Sequence, residues 1–189
     1  MGFLDTLLGR RKVAAPAAKD RLFALSTAHV TFEIDGLVSK GAAAIVFQAL
    51  GTADFQRVVT EMEEVVRGTG EETGTTVESH EDTFGYRWIV LRDPDVEDLV
   101  VGVHAVNDAL AIAGYGDRTL AAVFPYADGD RPVYWIYSIK RGSWYPFVPA
   151  PGEQARSNEL ELQLKARYAN DLPIEPELER WFPLWGVPL

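Results

Sequence analysis

The chain has 189 residues, 47% hydrophobic and 24% charged, which suits one domain with a sizeable core. It has no cysteine and a net charge of −10, which excludes disulfide staples and thiolate or cysteine–zinc chemistry and argues against generic nucleic-acid binding. No apolar run is long enough to span a bilayer or form a secretory core, so the expected location is inside the cell.

Residues 1–21 carry Arg10, Arg11, Lys12, Lys19 and Arg21 against Asp5 and Asp20, a surplus of +3 that leaves −13 on the rest. Residues 2–9 read as a short amphipathic helix with Phe3, Leu4, Leu7 and Leu8 on one side. Two turns are too few to be stable in water without a surface to lie on. Val13 to Lys19 is rich in Ala and Pro and reads as a tether. The expected division is therefore residues 1–19 as arm and tether and residues 20–189 as a single α+β domain. Phe3, Leu4, Leu7, Leu8, Arg10, Arg11 and Lys12 are the candidate contacts with an anionic membrane or a partner, the alternative being docking on the chain's own domain. Met1 to Thr6 also fits an N-myristoylation pattern, a short match that carries no weight here.

In the body, Val30, Phe32 and Ile34 alternate with His29, Thr31 and Glu33, predicting a strand paired with a second over Ala42 to Leu50. Phe55, Val58, Val59, Met62, Val65 and Val66 predict a helix that Gly68 ends. Thr69 to Asp82 reads as a polar acidic loop and Phe84 to Leu91 as a buried strand. Asp93 and Pro94 then announce a helix to about Ala113, its apolar stripe being Val96, Leu99, Val100, Val103, Val106 and Leu110. Gly114 and Gly116 release the chain from it.

Thr119 to Tyr126, Val133 to Ile139 and Trp144 to Val148 predict a three-stranded meander, with reversals at Asp128-Gly129 and Lys140 to Ser143. Asn158 to Tyr168 reads as a helix with Leu160 and Leu164 inward and a capping box from Asn158 to Glu161. Pro176 starts a last short helix with Leu178, Trp181 and Phe182. Together these predict α+β architecture: an antiparallel or mixed sheet with helices packed mainly on one face.

No motif marks a reactive centre. His29, His80 and His104 lack metal-site spacing, Ser79 to Asp82 merely lines up triad residue types, and the acids of the second helix read as a solvated face. No cofactor is expected. The aromatic C-terminal third reads first as packing, with Trp144, Tyr145, Trp181 and Trp185 as the candidate partner surface where exposed.

Met1 to Asp5, Tyr86-Arg87-Trp88, Asp93-Pro94-Asp95, Lys140-Arg141-Gly142, Tyr145-Pro146-Phe147, Asn158 to Leu164 and, most specifically, Glu179 to Gly186 follow one another in an order that resembles the PspAB family of PspA-associated actinobacterial proteins. The resemblance runs end to end, apart from Thr69 to Asp82 and the tether. It implies a cytoplasmic, non-enzymatic accessory of the phage-shock envelope-stress response, a role that requires contact either with the inner face of the membrane, as a weak peripheral contact, or with a membrane-bound partner. Its implied partner is a PspA-type protein or a membrane zinc metallopeptidase, and it carries no established functional residues. Two other classes stay open at this point, a carboxylate- and His104-dependent hydrolase and a dimeric structural module.

Overall fold

A computed structural model describes residues 21–189. The predicted helix over 2–9 and its basic cluster lie outside the described residues.

The first described helix, α1 (Ala24–Ile34), replaces the predicted strand. Leu25, Ala28 and Phe32 are its buried residues, a spacing of three and four, whereas Val30 and Ile34 face out at 58% and 81% exposure. The apparent alternation arose because residues four apart on a helix also satisfy a period of two. Gly36 turns the chain into β1 (Leu37–Ser39), and β2 (Ala42–Gln48) follows across Gly41, whose φ is +61°. A side chain at Gly41 would come within 3.1 Å of the Asp93 carbonyl, so the position demands glycine twice over.

Helix α2 (Ala53–Thr73) is capped by Thr52, which accepts from the Phe55 amide. It runs through Gly68 and stops at Gly74, the residue in the left-handed region at φ +94°. Its last turns and the strand β3 (Thr76–Glu81) occupy the stretch predicted as loop. That strand was concealed because it is a polar edge: its residues are exposed or half-buried, and only β4 (Tyr86–Arg92) pairs with it. Asp82 pins the hairpin between them, accepting from the Phe84 and Tyr86 amides and from Trp88 Nε1.

Helix α3 (Val96–Ile112) buries the six residues of its predicted stripe. Asp95 is its cap, accepting from the Glu97 amide at 2.8 Å. Asp93 sits behind it, buried, taking the Thr75 hydroxyl at 2.6 Å and the Asp95 amide. At the far end Gly114 has φ +87°, and the Tyr115 amide returns to the Leu110 carbonyl. The meander forms as expected from β5 (Thr119–Asp128), β6 (Arg131–Ser138) and β7 (Ser143–Phe147), and α4 (Asn158–Tyr168) keeps its predicted bounds. The last predicted helix is a single 3-10 turn, Leu178–Arg180.

All seven described strands pair antiparallel in the order β3-β4-β2-β5-β6-β7, with β1 alongside the end of β5. Strand alternation sends Ile45, Ile89, Leu91, Phe124 and Trp135 towards the four helices, and Val46, Trp88, Val90, Val123 and Ile136 to the opposite face. No described helix covers that second face. The C-terminal segment covers it with Trp181, Leu184, Val187 and Leu189.

Phe32 sits at the centre of the helical side, its ring stacked on Trp135 at 5.1 Å and edge-on to Tyr126 and Tyr168. Truncating Phe32→Ala is expected to cost about 3–5 kcal/mol. Ile34→Ser should change stability by less than about 0.5 kcal/mol, because Ile34 is exposed on a helix; an inward strand residue would cost several times more. Urea unfolding of the two variants separates the helix from the strand.

Candidate functional site

Two hollows flank the C-terminal part of the chain, one where β7, the segment after α4 and the start of α1 meet and one between α4 and the C-terminal segment. The larger of these two, about 770 Å³, is an open groove whose charged lining is Arg21, Lys140, Arg141, Asp171, Glu175 and Arg180. Its wall is an unusual strand edge. Residues 173–175 run beside β7, the Trp144 amide donating to the Pro173 carbonyl and the Glu175 amide to the Trp144 carbonyl. Buried Glu175 takes the Ser143 hydroxyl at 2.9 Å and lies 3.8 Å from Arg180. No histidine lines the groove, and Glu175 is committed to holding this wall.

A second hollow, about 400 Å³, opens between α4 and the C-terminal segment. Leu162 and Leu178 line it at 44% and 45% exposure, above a floor of Trp181, Arg156 and Glu161. Glu161, predicted as half of a capping box, is instead a buried carboxylate pointing into the protein. It accepts the Val148 amide at 2.9 Å and grips the Arg156 guanidinium through contacts of 2.7–3.0 Å. Arg156 also donates to the Trp181 carbonyl at 2.7 Å and lies over the Phe147 ring. Ser157, the residue before α4, forms no side-chain cap. Nothing in the spacing separated a capping glutamate from a buried one, because both lie at the start of a helix.

Of the candidate surface aromatics, Trp144, Tyr145 and Trp181 are interior, at 0%, 3% and 4% exposure, which corrects their place on a partner surface and agrees with the packing reading. Trp144 donates to the Arg21 carbonyl and packs on Tyr137 and Phe124. Trp181 stacks on Tyr145, whose hydroxyl donates to the Phe182 carbonyl. Trp185 remains at 36% exposure with one edge against Phe147, and Phe182, which sequence reasoning left out of this surface, stands at 61%. Phe3, Leu4, Leu7, Leu8, Arg10, Arg11 and Lys12 lie outside the described residues.

The three histidines are dispersed. His29 meets the Tyr126 hydroxyl at 3.3 Å, and His80 stands on the exposed edge strand beside Glu78. His104 is 3.4 Å from Asp108 one turn on and edge-on to Phe23. It lines neither hollow. No group of three or more metal-ligating side chains occurs among the described residues, and no described helix is long and apolar enough to cross a membrane.

Against this geometry, one family model matches residues 1–189, the whole chain: PspAB, PspA associated protein B. The chain belongs to the PspAB family. No curated protein and no solved structure matches it. The family's description ties this PspAB chain to PspA and so to a protein partner.

Replacing Arg156 with Ala would strand the Glu161 charge in the interior, at an expected cost of about 3–5 kcal/mol in urea unfolding. Adding Glu161→Gln should recover part of that loss, since the amide oxygen can still accept from Val148. A double variant no better than the single would show that lost packing, not the stranded charge, dominates.

Burial raises the phenols of Tyr126 and Tyr145 well above their ordinary range; near Tyr145, Arg156 opposes the shift without cancelling it. The unfolded chain ionises these groups near pH 10 and the folded chain only above that. Stability is therefore complete below pH 10 and falls as pH climbs beyond it, by up to about 1.4 kcal/mol per pH unit for each tyrosine. Tyr145→Phe should make that alkaline limb shallower in denaturation measured from pH 9 to 12.

Proposed function

We propose that this PspAB protein is a non-enzymatic adaptor of the phage-shock membrane-stress response, cytoplasmic in location, whose α+β body binds a PspA-type protein. The observation that carries the reading is the family match over the full chain. The exposed apolar rim at the seam of α4 and the C-terminal segment supports it by offering a place to bind. Leu162 and Leu178 face one hollow, with Phe182 and Trp185 further along the same segment. Large apolar side chains on a firmly packed base are what protein interfaces use as anchors. The base is firm because Trp181 beneath them is fixed by Arg156 and by its own indole donation to the Glu175 carbonyl.

In this reading residues 2–12 give the adaptor a weak hold on an anionic membrane surface. Four apolar side chains would enter the interface while Arg10, Arg11 and Lys12 contribute roughly 1 kcal/mol each.

Binding of the purified protein to the PspA-type protein of the same cell tests the first half. Leu162→Asp with Leu178→Asp should weaken it at least tenfold while leaving the thermal midpoint nearly unchanged, both residues being half in water. Full affinity in that variant moves the partner surface elsewhere, and no affinity in the parent chain refutes the adaptor reading. For the second half, removing residues 1–12 should abolish pelleting with anionic vesicles, and equal pelleting of both chains would refute it.

A further inference from the structure

The outer face of α3 carries an apolar stripe that no described residue covers. Val101 and Ile112 are exposed to 47% and 87%, and Ala105 between them is exposed as well. At 100° per residue these three fall together, opposite the buried stripe. Beside them Val65 of α2 is 68% exposed, and Val65, Val101 and Ala105 line a crevice of about 70 Å³ between the two helices.

The surroundings are acidic. Helix α2 has six acids against Arg57 and Arg67, and α3 has Glu97, Asp98 and Asp108 with no lysine or arginine. Asp98 lines the crevice itself. The segment that fits is therefore apolar and basic together.

Residues 2–12 of this chain have that composition, and they are tethered nearby. The Phe23 ring lies 5.1 Å from that of His104, so the chain enters the body against α3, on the flank away from α2. Residues 13–20 can span at most about 27 Å, more than enough to return over a helix about 10 Å wide. The rival seat is the large groove that Arg21 lines, where Lys140, Arg141 and Arg180 join Arg21 against only Asp171 and Glu175. That lining repels a basic cluster.

We propose that residues 2–12 dock in cis on the outer face of α3, with their apolar side over Val101, Ala105 and Ile112 and their cations against the acids of α2 and α3. A short tether gives the docked segment an effective concentration in the millimolar range, so even a weak contact is substantially occupied. What the docking regulates rests on the membrane reading above: an arm seated on α3 is withheld from the membrane until a surface competes for it.

The chain has no cysteine, so Thr6→Cys carries a single nitroxide label. In the isotope-labelled full chain at low salt, the amides of Val65, Val101, Ala105 and Ile112 should lose at least half their intensity. They should regain it when the nitroxide is reduced, when Arg10, Arg11 and Lys12 become Glu, and in Val101→Ser with Ile112→Ser, whose exposed positions leave the fold intact. Broadening centred on Lys140 and Asp171, or none in the body, overturns the proposal. Equal broadening in a mixture of spin-labelled and separately isotope-labelled chains assigns the arm to a second copy and overturns docking in cis. The Val101→Ser, Ile112→Ser chain should also pellet several-fold more with anionic vesicles. If neither chain pellets while the relaxation signal stands, the docking holds and the membrane reading alone falls.

Discussion

The ion pair between Glu161 and Arg156 holds three parts of the fold in one place. A carboxylate at 2% exposure is tolerable only when its lone pairs are filled, and here the Val148 amide and the guanidinium fork fill them. The third guanidinium nitrogen of Arg156 donates to the Trp181 carbonyl. The end of β7, the first turn of α4 and the start of the C-terminal segment are thereby fixed to a single charge. Such a pair adds little net stability over an apolar equivalent. Its contribution is to set where the C-terminal segment crosses the sheet.

That crossing matters because the sheet has two apolar faces and the four described helices lie on only one of them. The other face, with Val90 and Val123 fully buried, depends on a segment that has no regular ladder of its own. Such a segment needs much buried area per residue and little backbone freedom to lose. Trp181, Leu184 and Leu189 supply the first, and Pro183 and Pro188 restrict the second. The same segment bears side chains pointing both ways, which is why it is cover for the sheet beneath Trp181 and an exposed rim at Phe182.

Elements were legible in the sequence where one physical signal dominated. The α3 stripe could be read because a helix buried along one side must repeat at 3.6, and β5, β6 and β7 because β-branched and aromatic residues meet turn glycines. Three places misled for physical reasons. Helix α1 is short and exposes Val30 and Ile34, so its hydrophobic residues advertised the wrong period. Edge strand β3 buries almost nothing and left no hydrophobic trace. Glu161 looked like a capping residue because helix N-termini favour acids, and only tertiary contacts turn it inward. The seam between α4 and the C-terminal segment was legible as an aromatic-rich region, but which rings are cover and which are surface depends on that same glutamate.

Charge adds a constraint of its own. Beyond residue 21 the chain carries −13, roughly half of it on α2 and α3, whereas residues 1–21 carry +3. At physiological salt, exposed charges are screened within about 8 Å, whereas eight residues such as 13–20 can span up to about 27 Å, so their reach exceeds the range over which the acidic body would repel an anionic surface. The two proposed destinations of residues 2–12, the acids of α2 and α3 and an anionic leaflet, therefore differ little in sign and would respond alike to salt. What separates them is apolar burial: the α3 stripe offers only Val101, Ala105 and Ile112, far less than a bilayer interface offers Phe3, Leu4, Leu7 and Leu8. Under the two proposals, side-chain size alone would order the contacts, a weaker seat on the body and a stronger one at a surface, which is the ordering that release requires.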